Sequence, residues 1–160
     1  MTISPLIECE IPDFVNLYMK FINYLRYDCQ EIYFDYTEDI GDKLKIYFKK
    51  CLKDPLYAIY LAKEDDVSVG FIAGDMRPSF FPYSTLGYNG YISGVYVDES
   101  IRGKGLTKLL EKYITENFFK KNNATYIELH CLTNNIIAKK MWGTLGYKTF
   151  REQLRKKITI

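Results

Sequence analysis

Between residues 11 and 27 the apolar positions Phe14, Leu17, Tyr18, Phe21, Ile22 and Leu25 recur every three or four residues. That spacing is one face of an α-helix, and Asp13 stands where a carboxylate meets the helix N-terminus. A second run, Glu38 to Leu52, gathers Leu44, Tyr47, Phe48, Cys51 and Leu52 on one side and predicts another helix, stopped by Asp54-Pro55. Tyr33 to Thr37, between them, follows neither period and predicts irregular chain. The period then shortens. Tyr57 to Ala62 and Val67 to Met76 are β-like runs joined by Glu64-Asp65-Asp66, which predicts a hairpin. A loop rich in proline and aromatic residues, Pro78 to Ser84, leads into a long strand, Tyr88 to Val97. Ser93-Gly94 sits in its middle, where a glycine predicts a bulge or a close backbone approach.

Helical spacing returns at Leu106 to Phe118, with Leu106, Leu109, Leu110, Tyr113, Ile114 and Phe118 predicted inward. Tyr126 to Cys131 reads as a strand. Thr133 or Asn134 is placed to cap a fourth helix, whose Ala138, Met141, Trp142 and Leu145 share a face and which Gly146 ends. Tyr147 to Ile158 predicts a last strand. The order predicts an α/β fold of the mixed α+β kind, a mixed sheet with helices on both faces, in one domain over residues 1–160.

Composition narrows the function. With 48% hydrophobic and 26% charged residues the chain is globular, and its 15 Tyr and 10 Phe predict a core rich in large rings. A net charge of +2 argues against nucleic acid as the main partner. Cys9, Cys29, Cys51 and Cys131 form no CxxC pair, and a single histidine does not complete a zinc set, so no metal is expected and the thiols read as reduced. No run approaches the ~18–20 apolar residues that cross a bilayer, and the N-terminus lacks the pattern of a signal peptide. The expectation is a cytoplasmic protein with no membrane partner.

The candidate chemistry begins at Arg102-Gly103-Lys104-Gly105-Leu106-Thr107. A glycine turn that opens a helix leaves backbone N–H groups pointing outward at the positive end of the helix dipole, which suits phosphate. Arg102 and Lys104 add charge. Neither a Walker loop nor a complete GxGxxG fingerprint is present, because Lys108 stands where the third glycine belongs.

Val97 to Thr107 resembles the acetyl-CoA-binding motif of the GNAT N-acetyltransferase superfamily, Arg/Gln-x-x-Gly-x-Gly/Ala: Arg102 and Gly105 match, and Thr107 replaces the usual Gly or Ala. A second block resembles the family downstream: Asn135-x-x-Ala138-x-x-x-Trp142-x-x-x-Gly146-Tyr147, preceded by Ile127-x-Leu129-x-Cys131. The resemblance implies acetyl-CoA as cosubstrate and direct acetyl transfer to an amine, more readily of a small molecule than of a peptide or protein. It implies that the backbone of Val95, Tyr96 and Val97 holds the pantetheine arm, that the amides from Gly103 to Lys108 hold the pyrophosphate, and that Asn135 meets the pantetheine amides, a helix cap being its other reading. A homodimer is a family expectation.

An amine of pKa about 10 is protonated near neutral pH, so some group must take its proton. Many family members carry Glu where this chain has Ser93-Gly94; Ser93 can hold a water. His130 occupies the position of a Glu base in the branch resembling ribosomal-protein N-acetyltransferases. An imidazole, with an ordinary pKa of about 6.5, suits that task, though it also suits simple packing on the sheet. Trp142 stands where the family often has a general-acid Tyr; its indole N–H delivers no proton, and the resemblance places it to pack on pantetheine or donate a hydrogen bond to sulfur, a core role being its other reading. For the acceptor the resemblance points to the loop after the first helix and the loop before the long strand, where Tyr27, Asp28, Phe34 and Phe81, with Asp35, are placed to hold a cationic amine. The rival reading is a non-catalytic CoA-binding sensor or an interaction module on the same fold.

Overall fold

The computed structural model describes residues 1–158. They fall into two compact units, Met1–His130 and the chain from Cys131 onward.

The first unit is built on a five-stranded sheet in sequence order: β1 (Thr2–Pro5), β2 (Tyr57–Glu64), β3 (Val67–Pro78), β4 (Tyr88–Val97) and β5 (Ile127–Leu129). Neighbours run antiparallel except β4 and β5, which are parallel. The β2–β3 hairpin turns at Asp65 and Asp66, both at positive φ (49° and 63°), the geometry that matches strand twist in a tight hairpin. The strand β1 was not foreseen. It is four residues long and ends in proline, so its existence depends on pairing with β2 rather than on any local period.

Helices α1 (Ile11–Asn23) and α2 (Ile40–Cys51) pack together over one face of the sheet. Their core is aromatic: Phe14, Phe48 and Phe71 are fully buried, with Phe14 edge-on to Phe48 and Phe71 at ring separations of 4.7 and 5.1 Å. Tyr18 joins them, and burial pushes its phenol up to about 12. The periodic stretch beyond Asn23 continues as a wider π turn over Tyr24–Asp28, and a short 3-10 turn at Ile32–Phe34 runs into the stretch Tyr33 to Thr37 read as irregular.

Helix α3 (Leu106–Ile114) covers the other face and widens into a π turn at Thr115–Phe119. Leu106, Leu110, Ile114, Phe118 and Phe119 are buried, whereas Leu109, expected inward, is 52% exposed. The inward stripe is narrower than the spacing suggested, because Phe119 rather than Leu109 meets the sheet. Its ring lies so close under β4 that a Cβ at Gly90 would sit 2.6 Å from it.

Lys20 on α1 bonds Asp98, just past β4, at 2.8 Å. With the Ser100 hydroxyl and backbone N–H also donating, the Lys20 ammonium holds the Asp98 carboxyl down at about 2. A carboxyl depressed on folding adds stability above its unfolded value near 4, and that stability is lost as pH falls towards 2. After allowance for solvent screening this is about 1 kcal/mol. Urea melts of the wild type and Asp98→Asn between pH 6 and 2 check it: their difference should lose most of its size at the acid end.

In the second unit α4 (Ile136–Thr144) is capped by Asn135, whose Oδ1 accepts from the Ala138 N–H at 3.1 Å. The cap is therefore Asn135, not Thr133 or Asn134. Gly146, at φ 91°, ends the helix with Gly146 N–H on the Gly143 carbonyl and Tyr147 N–H on the Trp142 carbonyl. The predicted strand Tyr147 to Ile158 is absent: these residues pair with no strand, and Leu154 and Ile158 are exposed. Arg151, Glu152, Arg155, Lys156 and Lys157 leave the segment no apolar face to bury.

Candidate active site

The open edge of β4 defines the site. β5 pairs with Gly90, Tyr91 and Ile92 and stops at Leu129, while β4 continues to Val97. Among the described residues no strand pairs with Ser93 to Val97 on that side. The split starts at a bulge: Ala73 faces Gly94, Gly74 faces Ile92, and Ser93 is the extra residue. The Asp98 N–H donates to the Val69 carbonyl, and alternation along an antiparallel pair then assigns the groups of Tyr96 and Gly94 to β3. Val95 and Val97 point the other way, into the gap. Tyr96 thus departs from its expected role: its backbone is spent on β3 and its ring is buried beside Phe21 and Phe71.

The gap leads to the glycine turn. Gly103 and Gly105 adopt φ of 80° and 78°, and a Cβ at either would meet nothing within 4 Å. Gly105 is the N-cap of α3 and no side chain caps the helix, so the first amides, those of Leu106, Thr107 and Lys108, face outward. Leu106 buries its side chain and Thr107 is half-buried beside exposed Lys104 and Lys108. Arg102 behaves differently from expectation. Its Nε donates to the Val97 carbonyl at 3.1 Å, its Nη1 bonds Glu99, and its guanidinium lies near the Tyr24 and Tyr96 rings. It braces the turn while staying exposed, and Lys104 and Lys108 add exposed charge beside it.

A polar row crosses the sheet where the strands part. Tyr57, Asp75, Tyr91 and Glu128 stand opposite one another on β2 to β5 and share the face that carries α1 and α2. The Tyr57 hydroxyl lies 3.2 Å from Ser93 Oγ, and burial pushes its phenol far above the ordinary range. The exposed His130 follows β5, with Nδ1 2.8 Å from the Tyr91 hydroxyl. Arg77 forks onto Asp75 at 2.5 and 3.2 Å, and its guanidinium sits 3.4 Å above the Tyr91 ring centre. Sequence reasoning found His130 and Ser93 but missed Tyr91, Arg77 and Asp75. Only strand register brings these together, although Asp-x-Arg near the end of a strand was a legible ion-pair signal.

The expected acceptor residues are dispersed. Arg26 bonds Asp35 at 2.7 Å and lies over the Tyr27 and Tyr36 rings at 5.0 and 4.8 Å, so the chain's own cation fills the aromatic and acidic cluster assigned to an amine. Asp28 and Tyr27 are exposed, and Phe34 is half-buried in its short turn. Phe81 is exposed and packs edge-on to Tyr83 within its own loop. In the second unit Asn135 serves as helix cap, and Trp142 is buried with its ring 5.1 Å from Tyr147. Among the described residues no cluster could hold a metal ion, and no helix is long and apolar enough to cross a membrane.

An uncharacterised N-acetyltransferase of Methanocaldococcus jannaschii is 29% identical over 89 residues, 56% of this chain and 51% of that protein. The chain thus spans about half the length of this curated relative. The aminoglycoside antibiotic 6'-N-acetyltransferase AAC(6')-IG of Acinetobacter haemolyticus shares the fold at a TM-score of 0.78 and 18% identity, over 100% of this chain and 99% of its own. A predicted acetyltransferase of Clostridium acetobutylicum, solved with acetyl-CoA, does so at 0.72 and 20%, over 98% and 95%. The acetyltransferase (GNAT) family model matches residues 24–147, from the end of the first helix to the end of the last, and the chain belongs to that family.

Proposed function

We propose that the protein is an acetyl-CoA-dependent N-acetyltransferase acting on a primary amine, a small molecule before a peptide. The observation that carries this is the continuous path from the open β4 edge at Val95 and Val97 to the uncapped α3 N-terminus behind Gly103 and Gly105. An extended amide-bearing arm fits the first and a pyrophosphate the second, and the space a Cβ would take at either glycine is open. The bound cosubstrate supplies an activated acetyl thioester. The chain supplies the rest: amides of Leu106 to Lys108 for the phosphates, with Lys104 and Lys108 beside them, and the Val95 N–H for the thioester carbonyl. His130 takes the proton that the amine must lose. Family membership and the solved relatives named as N-acetyltransferases support the reading, and the aminoglycoside enzymes among them favour a small acceptor. Cytoplasmic location and homodimeric assembly belong to the same proposal.

Thermal unfolding with acetyl-CoA, free CoA and NAD tests it. At ~100 times Kd, acetyl-CoA should add about 2.7 kcal/mol, roughly 5–10 °C in Tm, while NAD adds nothing. No shift with any CoA species overturns the proposal. A shift without transfer to any amine of a broad panel replaces it with the sensor reading.

A further inference from the structure

We propose that Arg77, braced by Asp75, is a positioning residue that holds the Tyr91 hydroxyl on His130 and so decides which imidazole nitrogen carries the proton. The inference rests on the reading above, in which His130 receives the proton of the amine.

Asp75 and Tyr91 face each other across β3 and β4. Two bonds donated to Asp75 fix the guanidinium plane, which covers the Tyr91 ring at 3.4 Å and keeps it from turning away. Burial outweighs the pull of Arg77 and raises the Tyr91 phenol, so its oxygen keeps its proton. The hydroxyl lies 2.8 Å from Nδ1, and with the hydroxyl as donor the neutral imidazole carries its own hydrogen on Nε2. A cation over the ring face draws electron density from the phenol and makes its O–H a better donor. At longer range Asp75 offsets that charge, which lessens the repulsion an incoming ammonium or an imidazolium meets. The charged and titratable groups facing this pair are Tyr57 on β2, Asp75 and Arg77 on β3, and Glu128 on β5.

One consequence is chemical. With Nε2 already protonated, Nδ1 is the basic nitrogen, and it is reached through the Tyr91 oxygen. The amine passes a proton to that oxygen as the Tyr91 hydroxyl passes its own to Nδ1: the amine N–H and the old O–H bond break, and a new O–H and an Nδ1–H bond form. The imidazolium then returns its Nδ1 proton to water by way of the Tyr91 oxygen, which restores the Nε2–H tautomer and frees Nδ1 to accept again.

His130 is the chain's single histidine, so ¹⁵N NMR of the intact protein reads its tautomer without ambiguity. At a pH where the imidazole is neutral, the wild type should be protonated on Nε2. Arg77→Met should lose that dominance and lower kcat about tenfold at unchanged KM for acetyl-CoA. Asp75→Asn should move the same way by less, and Arg77→Lys, which keeps the charge but not the fork, should recover part of the loss. A wild-type imidazole protonated on Nδ1, or an Arg77→Met protein with the wild-type tautomer, overturns the proposal. The spectrum needs no turnover. The expected tautomer pattern in a protein that transfers no acetyl group would therefore sink the acetyltransferase reading and leave the Arg77 geometry standing.

Discussion

Replacing Gly105 by valine raises the KM for acetyl-CoA by about 10- to 100-fold while the protein still folds. Gly105 sits at φ 78° at the mouth of α3, a conformation that a β-branched residue resists, so the change costs about 1–2 kcal/mol of stability. No neighbour lies within 4 Å of the new Cβ, so the fold itself offers no clash. The space it fills is the approach to the Leu106, Thr107 and Lys108 amides. Losing one or two hydrogen bonds to a charged phosphate removes about 1.5–3 kcal/mol of binding, and each 1.4 kcal/mol is tenfold. Steady-state kinetics and a melt on the same preparation separate the two effects. A variant that loses stability but keeps its KM shows that the turn holds no phosphate.

Removing His130 acts on kcat instead. His130→Ala should lower it by about 10²- to 10⁴-fold, the range of a lost proton acceptor, and should reshape the pH dependence of kcat/KM. The acetyl-CoA KM should stay within about twofold, because no group assigned to the phosphates or the pantetheine arm involves this side chain. The residue is exposed after β5, so the fold should tolerate the change within about 0.5 kcal/mol. Unchanged kcat and an unchanged pH profile would falsify the assignment. Tyr91→Phe is the informative companion. It keeps the ring under Arg77 but removes the hydroxyl that reaches Nδ1, so its kcat should fall towards that of His130→Ala.

The sequence reading of Tyr88 to Val97 was right to the residue, and the hairpin and four helices were right in kind and order. These are the elements whose side chains sort by period, because each buries one face against a single sheet. The reading failed where burial was not periodic. Leu109 keeps the helical spacing but lies off the line of contact, and Tyr147 to Ile158 has β-like residues without a face to bury. At the ends of α1 and α3 the chain widens into π turns, which change the register by one residue and leave no mark in composition.

For the site, sequence by itself determined the glycine turn, the strand before it and the family to which both belong. A φ near 80° favours glycine, and a helix that opens without a capping side chain exposes its amides, so both are written locally. Tertiary structure alone decided which edge of β4 is open, because that depends on where β5 stops. It moved Arg102 from the phosphates to the Val97 carbonyl and gave Asp35 to Arg26. It also joined Asp75 and Arg77 on β3, Tyr91 on β4 and His130 just past β5, up to 55 positions apart, into one row of hydrogen bonds and a cation–ring contact. Register across a sheet is set by the pairing of distant strands, and pairing is a property of the folded chain, not of any segment within it.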